Sequence, residues 1–380
     1  MRRPGVDDVY RLAWRNVRRL PAPVGYGLFH LVGDAAWAVQ RVTRSSTGVG
    51  QLRRNLAHLL PAGTGERVLC ATTRAGMRSY MRYFYEAFAL PGLRREQIVA
   101  RVRPDVDPSA WEAISQGSIV IALPHMGNWD LVGAWACDEL AQVLTVAERL
   151  EPADLFEQFV AFREGLGMRI IGQSKGEKVF ERLVAAAQEG RYVIPLLADR
   201  DLSSSGIEAP LGGEPAHVAA GPAALAERLG VPLFTASVAY ERLTGSRRRA
   251  AGGPWGVVLT IRPVPEPEGL TGREKVVAWT RAWVADLGPR IAEHAEDWHM
   301  LQPVFDADLD QERLARRRAR EATADTAAQE AAATAGPAPA GAATAGGNAS
   351  PVVETIRRVS SAASCSPTCV PTRSCSAVAS

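Results

Sequence analysis

The sequence predicts an α/β fold: a central, mainly parallel sheet flanked by helices, a helical N-terminal segment before it and a disordered C-terminal tail after it. Three observations predict it. From residue 118 onward, short apolar and β-branched runs alternate with longer segments of helical periodicity. Several of these runs stop abruptly at charged or histidine residues, as strands do where they leave a sheet at its ligand-facing edge. Beyond residue 310 an Arg/Glu-rich stretch gives way to Ala/Thr/Gly/Pro repeats with almost no aromatic residues, which lack the apolar surface needed to fold.

Taken in order, residues 9–20 place Tyr10, Trp14, Val17 and Leu20 near one helical face and arginines on the rest. That pattern predicts a basic amphipathic helix with an aromatic anchor. Pro21 and Pro23 break it. Residues 24–39 are mostly apolar but carry His30 and Asp34, and they fall short of the roughly 20 apolar residues that span a bilayer. They predict a membrane-surface or buried helix. Ten arginines stand against three aspartates through residue 60, a balance that suits an anionic surface. Helices are predicted over 47–60 and 64–90. The second contains Tyr80-Met-Arg-Tyr-Phe-Tyr-Glu86, either a core-facing stripe or the wall of an apolar channel.

Strands follow at 118–124, 142–147, 168–171, 191–197, 232–240 and 256–262. The intervening helices are predicted at 130–141, 152–166, 175–188 and 221–229, with a closing helix at 271–295. Residues 203–213 read as a loop, and Pro222 opens a helix at its first turn. The Arg/Glu-rich stretch 310–322 reads as one more helix. The expected divisions are 1–45 for the membrane-surface helices, 46–305 for the enzyme domain, and 306–380 for the charged helix and tail.

Several functional classes fall away. A net charge of +3 with no basic-aromatic pattern argues against nucleic acid. Five cysteines make no disulfide framework: Cys70 and Cys137 lie in helical patterns, while Cys365, Cys369 and Cys375 fall in the tail without paired metal spacing. With no secretory leader pattern, a reducing cytoplasm is the expected compartment. Neither a phosphate-binding Walker loop, a His-Glu-x-x-His zinc motif nor a Gly-x-Ser-x-Gly elbow is present.

The chemistry concentrates at Ser118-Ile-Val-Ile-Ala-Leu-Pro-His125-Met-Gly-Asn-Trp-Asp130. A buried strand delivers an imidazole to a turn, and a carboxylate follows in the first turn of the next helix. An imidazole titrates near neutrality and can serve as a general base. Asp130 could bind its far nitrogen and fix the tautomer, although a structural histidine beside a helix-start acid has the same spacing. Three further segments hold candidate substrate contacts. Glu148 follows a strand at the sheet edge, Arg163 ends a helix on a cation, and Asp199-Arg200-Asp201 follows the apolar strand 191–197.

Together these segments resemble the bacterial lipid A biosynthesis acyltransferase family, within the wider glycerophospholipid acyltransferase superfamily. His125-Met-Gly-Asn-Trp-Asp130 matches its His-x4-Asp signature. Arg53-Arg54-Asn55-Leu56, Asp199-Arg200-Asp201 and Gly221-Pro222-Ala223 fall in family order. Four segments are most similar to the actinobacterial branch, the phosphatidylinositol mannoside acyltransferases: Tyr80–Glu86, Ala147–Pro152, Ala198–Ser203, and Asp297-Trp-His-Met-Leu-Gln302. The resemblance covers about residues 5–305. It implies a peripheral enzyme on the cytoplasmic face of the membrane that moves a long acyl chain, typically palmitoyl, from acyl-coenzyme A to a mannose hydroxyl of a phosphatidylinositol mannoside. It implies no metal or cofactor beyond that co-substrate. His125 would be the base and Asp130 its partner, with Arg163 and Asp199 completing the polar cleft. Acylation of another glycolipid or a lysophospholipid, a non-catalytic lipid-binding role, and a His/Asp metallohydrolase are the alternatives.

Overall fold

The computed structural model describes residues 16–148, 153–173, 179–201, 206–312 and 315–316. Most of the predicted 9–20 helix and the C-terminal tail lie outside them, as does much of 310–322. Of the former, Val17–Arg19 forms a short 3-10 turn. Three helices follow: α1 (Ala22–Thr43), α2 (Val49–Leu59) and α3 (Glu66–Ala89). Then come α4 (Arg95–Arg101), β1 (Val102–Val106), α5 (Pro108–Gln116), β2 (Ile119–Leu123), α6 (Trp129–Glu139), β3 (Leu144–Glu148) and α7 (Ala153–Gly165). The chain continues through β4 (Arg169–Gln173), α8 (Val179–Ala187), β5 (Val193–Leu197), β6 (Ile207–Leu211), β7 (Glu214–Val218) and α9 (Gly221–Leu229). It closes with β8 (Leu233–Arg242), α10 (Gly245–Ala251), β9 (Trp255–Pro263) and α11 (Gly272–Glu293).

Five strands form the central sheet in the order β1-β9-β8-β2-β5. Only β8 and β9 pair antiparallel, so the sheet is mainly parallel, as the sequence predicts. The parallel pair β3-β4 extends it past β5: Val193 N donates to Gln142 O (3.0 Å) and Thr145 Oγ1 to Pro195 O (2.7 Å). All five residues of β2 are buried. That explains why it reads as an unbroken apolar run, because helices cover both faces of the sheet. Val120 and Ala122 join the layer containing Trp279 and Trp283 of α11, whereas Ile119, Ile121 and Leu123 join the layer containing Leu131 and Trp135 of α6. The alternation is that of a strand packed between two cores.

The loop expected over 203–213 is partly a hairpin. β6 and β7 pair antiparallel around Gly212 and Gly213, at φ 63° and 91°. Two consecutive positive-φ residues suit the tight two-residue turn that matches strand twist, and glycine adopts them without strain. β1, α4, α5 and α10 are further elements beyond those the sequence predicts.

α1 lies against α3. Tyr26 Oη donates to Glu86 Oε1 (2.6 Å), and Asp34 receives both the Arg74 and Arg78 guanidinium forks at 2.6–2.9 Å. These donors hold the Asp34 carboxyl well below the usual range. The opposite face of α1 exposes Val24, Leu28, Leu31, Val32, Val39 and Val42. Among the described residues no helix is long and apolar enough to cross a membrane.

Candidate active site

β2 and β5 run side by side in parallel, with Leu123 opposite Leu197. His125 and Asp199 each lie two residues beyond that last pair, at the carboxyl edge where α/β sheets gather their ligands. The register therefore brings them together. His125 Nδ1 is 2.7 Å from Asp199 Oδ1, and the His125 backbone N–H donates to Asp199 Oδ2 at 3.0 Å. Trp298 Nε1 also donates to Oδ2, at 2.7 Å. Asp199 is fully buried. Burial alone would raise its pKa, but His125 and these donors outweigh it and hold the carboxyl below its ordinary value. An ionised carboxylate can only accept, so the proton between them belongs to Nδ1, and in a neutral imidazole the acceptor nitrogen would be Nε2.

Asp130, the expected partner of His125, makes other contacts. Its Oδ1 accepts from Arg163 Nε at 2.8 Å and its Oδ2 from Tyr83 Oη at 2.9 Å. The reason lies in the turn between them. Gly127 takes φ 60° and donates its N–H to Asp297 O (2.9 Å); a Cβ there would lie 2.2 Å from Val238 O. Asn128 then caps α6, its Oδ1 accepting from Leu131 N (2.9 Å) while its Nδ2 donates to Glu86 Oε2 (2.9 Å). With α6 so anchored, Asp130 in its first turn meets α3 and α7. Burial by itself would lower the Arg163 pKa, but Asp130 and Tyr83 raise it further. Burial, then Asp130, pushes the Tyr83 phenol up.

Arg200 turns its Nε to Pro303 O at 3.0 Å. Glu148 ends β3, but its side chain lies outside the described set, together with Arg149 and Glu151. Sequence reasoning gave no role to four residues of the site: Tyr83, Trp298, Ser79 and His299. His299 N–H donates to His125 O at 2.7 Å. Ser79 Oγ donates to Asp297 Oδ1 (2.6 Å), so its lone pair is free to accept from His299 Nε2 (3.0 Å). His299 is then the Nε2–H tautomer, and its Nδ1 is a buried acceptor with no partner. Burial, then Arg82 and His125, hold its pKa well below the ordinary range, so it stays neutral. The resemblance covers Tyr83 in the segment 80–86 and Trp298 and His299 in the segment 297–302, without assigning them a role.

A narrow apolar cavity of about 90 Å³ runs between α6 and the sheet. Trp129, Gly133 and Ala136 line one side, Leu123, Leu197 and Val238 the other, with Asp130 and Arg163 also in its wall. Glu208, His217 and Asp306 are close enough to hold a cation, yet His217 Nδ1 lies 2.6 Å from Asp306 Oδ1, a direct hydrogen bond needing no ion.

Residues 5–306 match the pattern of the family described as bacterial lipid A biosynthesis acyltransferase. The chain belongs to that family. It is an acyltransferase of lipid biosynthesis. Its relatives include a phosphatidylinositol mannoside acyltransferase of Mycolicibacterium smegmatis, 36% identical over 316 residues, covering 82% of this chain and 94% of that protein. Another, from Mycobacterium tuberculosis, is 33% identical over 324 residues, covering 84% and 94%. Among solved structures, a 1-acyl-sn-glycerophosphate acyltransferase of Thermotoga maritima is 16% identical with a TM-score of 0.31. It covers 58% of this chain and 86% of that one, a likeness too loose to argue from.

Proposed function

We propose that the protein transfers a long acyl chain from acyl-coenzyme A to a mannose hydroxyl of a phosphatidylinositol mannoside, with His125 as general base and Asp199 as its orienting carboxylate. The observation that carries this is the 2.7 Å contact between His125 Nδ1 and Asp199, which orients the ring so that Nε2 is the acceptor nitrogen of the neutral imidazole. Nε2 takes the hydroxyl proton as the oxygen attacks the thioester carbonyl. The tetrahedral intermediate collapses, the C–S bond breaks, and the imidazolium returns the proton to the departing thiolate. The positive end of α6, which starts four residues after His125, favours the developing oxyanion. In this reading Asp130 fixes Arg163 at the slot instead of serving the base. The exposed apolar face of α1, with the arginine excess near the N-terminus, would seat the enzyme on the anionic cytoplasmic face of the membrane.

Purified protein given palmitoyl-coenzyme A and a panel of mannosylated and unmannosylated phosphatidylinositols should yield acylated product, read by mass, only with the mannosylated lipids. Acylation of an unmannosylated lipid at equal rate would move the assignment to another acceptor. His125→Ala should reduce turnover at least 10³-fold, on the order of other lost general bases, while vesicle binding persists.

The slot is smaller than the roughly 300–1,000 Å³ of ligand pockets. Seating a long chain therefore requires the seam between α6 and the sheet to open, and Met168 in its wall is the side chain best able to move. A Cβ on Gly133 would meet Met168 Cε at 2.5 Å. Gly133→Leu is accordingly expected to shift donor preference toward shorter chains, checked by competing acyl-coenzyme A esters of different lengths. An unchanged length profile would place the chain elsewhere.

A further inference from the structure

A second cavity, about 960 Å³, lies between α1, α3 and the ends of β8 and β9, and its wall is arginine-rich: Arg41, Arg67, Arg74, Arg78, Arg82 and Arg242. Not all of that charge is available. Asp34 occupies the forks of Arg74 and Arg78. Of the acids in the wall, Glu66 is paired with Arg53. Asp297 is held by Ser79 and by Tyr240 N–H, and burial raises its pKa. Glu296 is the remaining acid.

Arg41, Arg67 and Arg242 have no carboxylate partner among the described residues. Arg82 is the telling case. It is 7% exposed, its nearest carboxylate oxygen is 4.0 Å away on Asp297, and its buried Nε has no hydrogen-bond partner. Its guanidinium lies 3.6 Å from the Trp255 ring centroid and 4.4 Å from that of Tyr240. Arg242 stacks on the same Trp255 at 4.4 Å. Two like charges are thus fixed on one indole, one of them with an unsatisfied buried donor. Such an arrangement costs free energy unless an anion bridges it, and guanidinium planes held by stacking are pre-organised for the two-pronged recognition of phosphate.

The cavity's position links it to the reaction. Ser79 is in its wall and hydrogen-bonds His299, whose backbone N–H is bonded to His125. The apolar slot touches the other side of this group through Trp129, which stacks on Tyr83. His125 is thus separated from the apolar cavity by Trp129, ring centroids 6.0 Å apart, and from the cationic one by His299 and Ser79. α1, which walls the cationic cavity with Trp37 and Arg41, turns its apolar face to solvent.

We infer that this arginine cavity is a phosphate-ester site, centred on Arg82 and Arg242, that holds the phosphodiester of the lipid acceptor while its sugar reaches toward His125. The assignment to the acceptor rests on the acyltransfer reading above; the phosphate chemistry stands on the cavity itself. The other source of the same chemistry is the phosphorylated nucleotide of the donor.

Calorimetric titration separates the two, because it needs no turnover. The probes are glycerophosphoinositol, the deacylated head group, and coenzyme A, each titrated into wild-type protein and into Arg67→Gln/Arg242→Gln. Both residues are exposed, and a circular-dichroism melt checks that the fold survives. The expected result is a loss of at least tenfold in affinity for glycerophosphoinositol with coenzyme A unchanged, and partial recovery in Arg242→Lys. Loss confined to coenzyme A would overturn the lipid assignment and make this the nucleotide site. Binding of neither probe by the wild type, or equal binding by the variant, would overturn the site altogether. Failure of acyl transfer with intact head-group binding would count against the proposed reaction and not against this cavity.

Discussion

Asp199→Asn is expected to lower turnover by roughly 10³–10⁴, the scale seen when the carboxylate behind a catalytic histidine becomes an amide. Asp199 Oδ2 accepts two donors, Trp298 Nε1–H and the His125 backbone N–H. In the variant the amide oxygen must stay with those two, which turns the amide NH2 toward His125 Nδ1. The imidazole then accepts at Nδ1 and carries its proton on Nε2, the wrong tautomer for a base. The side chains are nearly isosteric, so the fold should hold. Single-turnover rates of the folded variant make the check, and activity within tenfold of wild type would remove Asp199 from the dyad. The lowered Asp199 pKa also sets a pH sign. Its contribution to stability is present above the unfolded value near 3.9 and is lost only as pH falls through the lower folded value. Asp199 therefore stays ionised through the ordinary carboxylate range, and any limb of the rate profile near neutrality belongs to another group.

Asp130→Ala is expected to act first on stability. It strands the Arg163 guanidinium, whose side chain is 14% exposed, and removes the acceptor of the buried Tyr83 hydroxyl. Breaking one partner of a buried pair costs about 3–5 kcal/mol. At about 2–4 °C per kcal/mol for a domain of this scale, the melting temperature should fall by roughly 10 °C. Asp130→Ala/Arg163→Met, which removes both charges, should recover much of the loss. A stable Asp130→Ala protein with the kinetic defect of His125→Ala would restore Asp130 as the partner of the base.

His125 was legible because β2 is buried on both faces and its apolar run stops so sharply. Asp199 was legible as a charge leaving a similar strand. Their pairing was not, because it depends on β2 and β5 being neighbours in register, a fact of topology that no local pattern carries. The spacing of His125 and Asp130 drew attention to the carboxylate nearest in sequence, and a turn built on Gly127 and Asn128 sends that carboxylate elsewhere. β1 was missed because Val-Arg-Pro-Asp-Val buries only its first residue fully; an edge strand with a wet face shows no apolar run. The Gly212-Gly213 hairpin could have been read from turn chemistry alone. Trp298 and His299 reach the site from a segment with no strand or helix period, so only the resemblance marked them.

The strand that delivers His125 is hydrogen-bonded on both edges, to β8 and to β5, with a packed core above and below. Such a segment opens only with global unfolding, so its amides should be among the slowest in the molecule to exchange with solvent. The apolar slot is bounded on one side by this strand and on the other by α6. In the proposed reading, room for an acyl chain must then come from the helical side. If the slot takes the acyl chain as proposed, loading and release would proceed by helix displacement while His125 keeps its coordinates, separating a compliant wall from a stationary base.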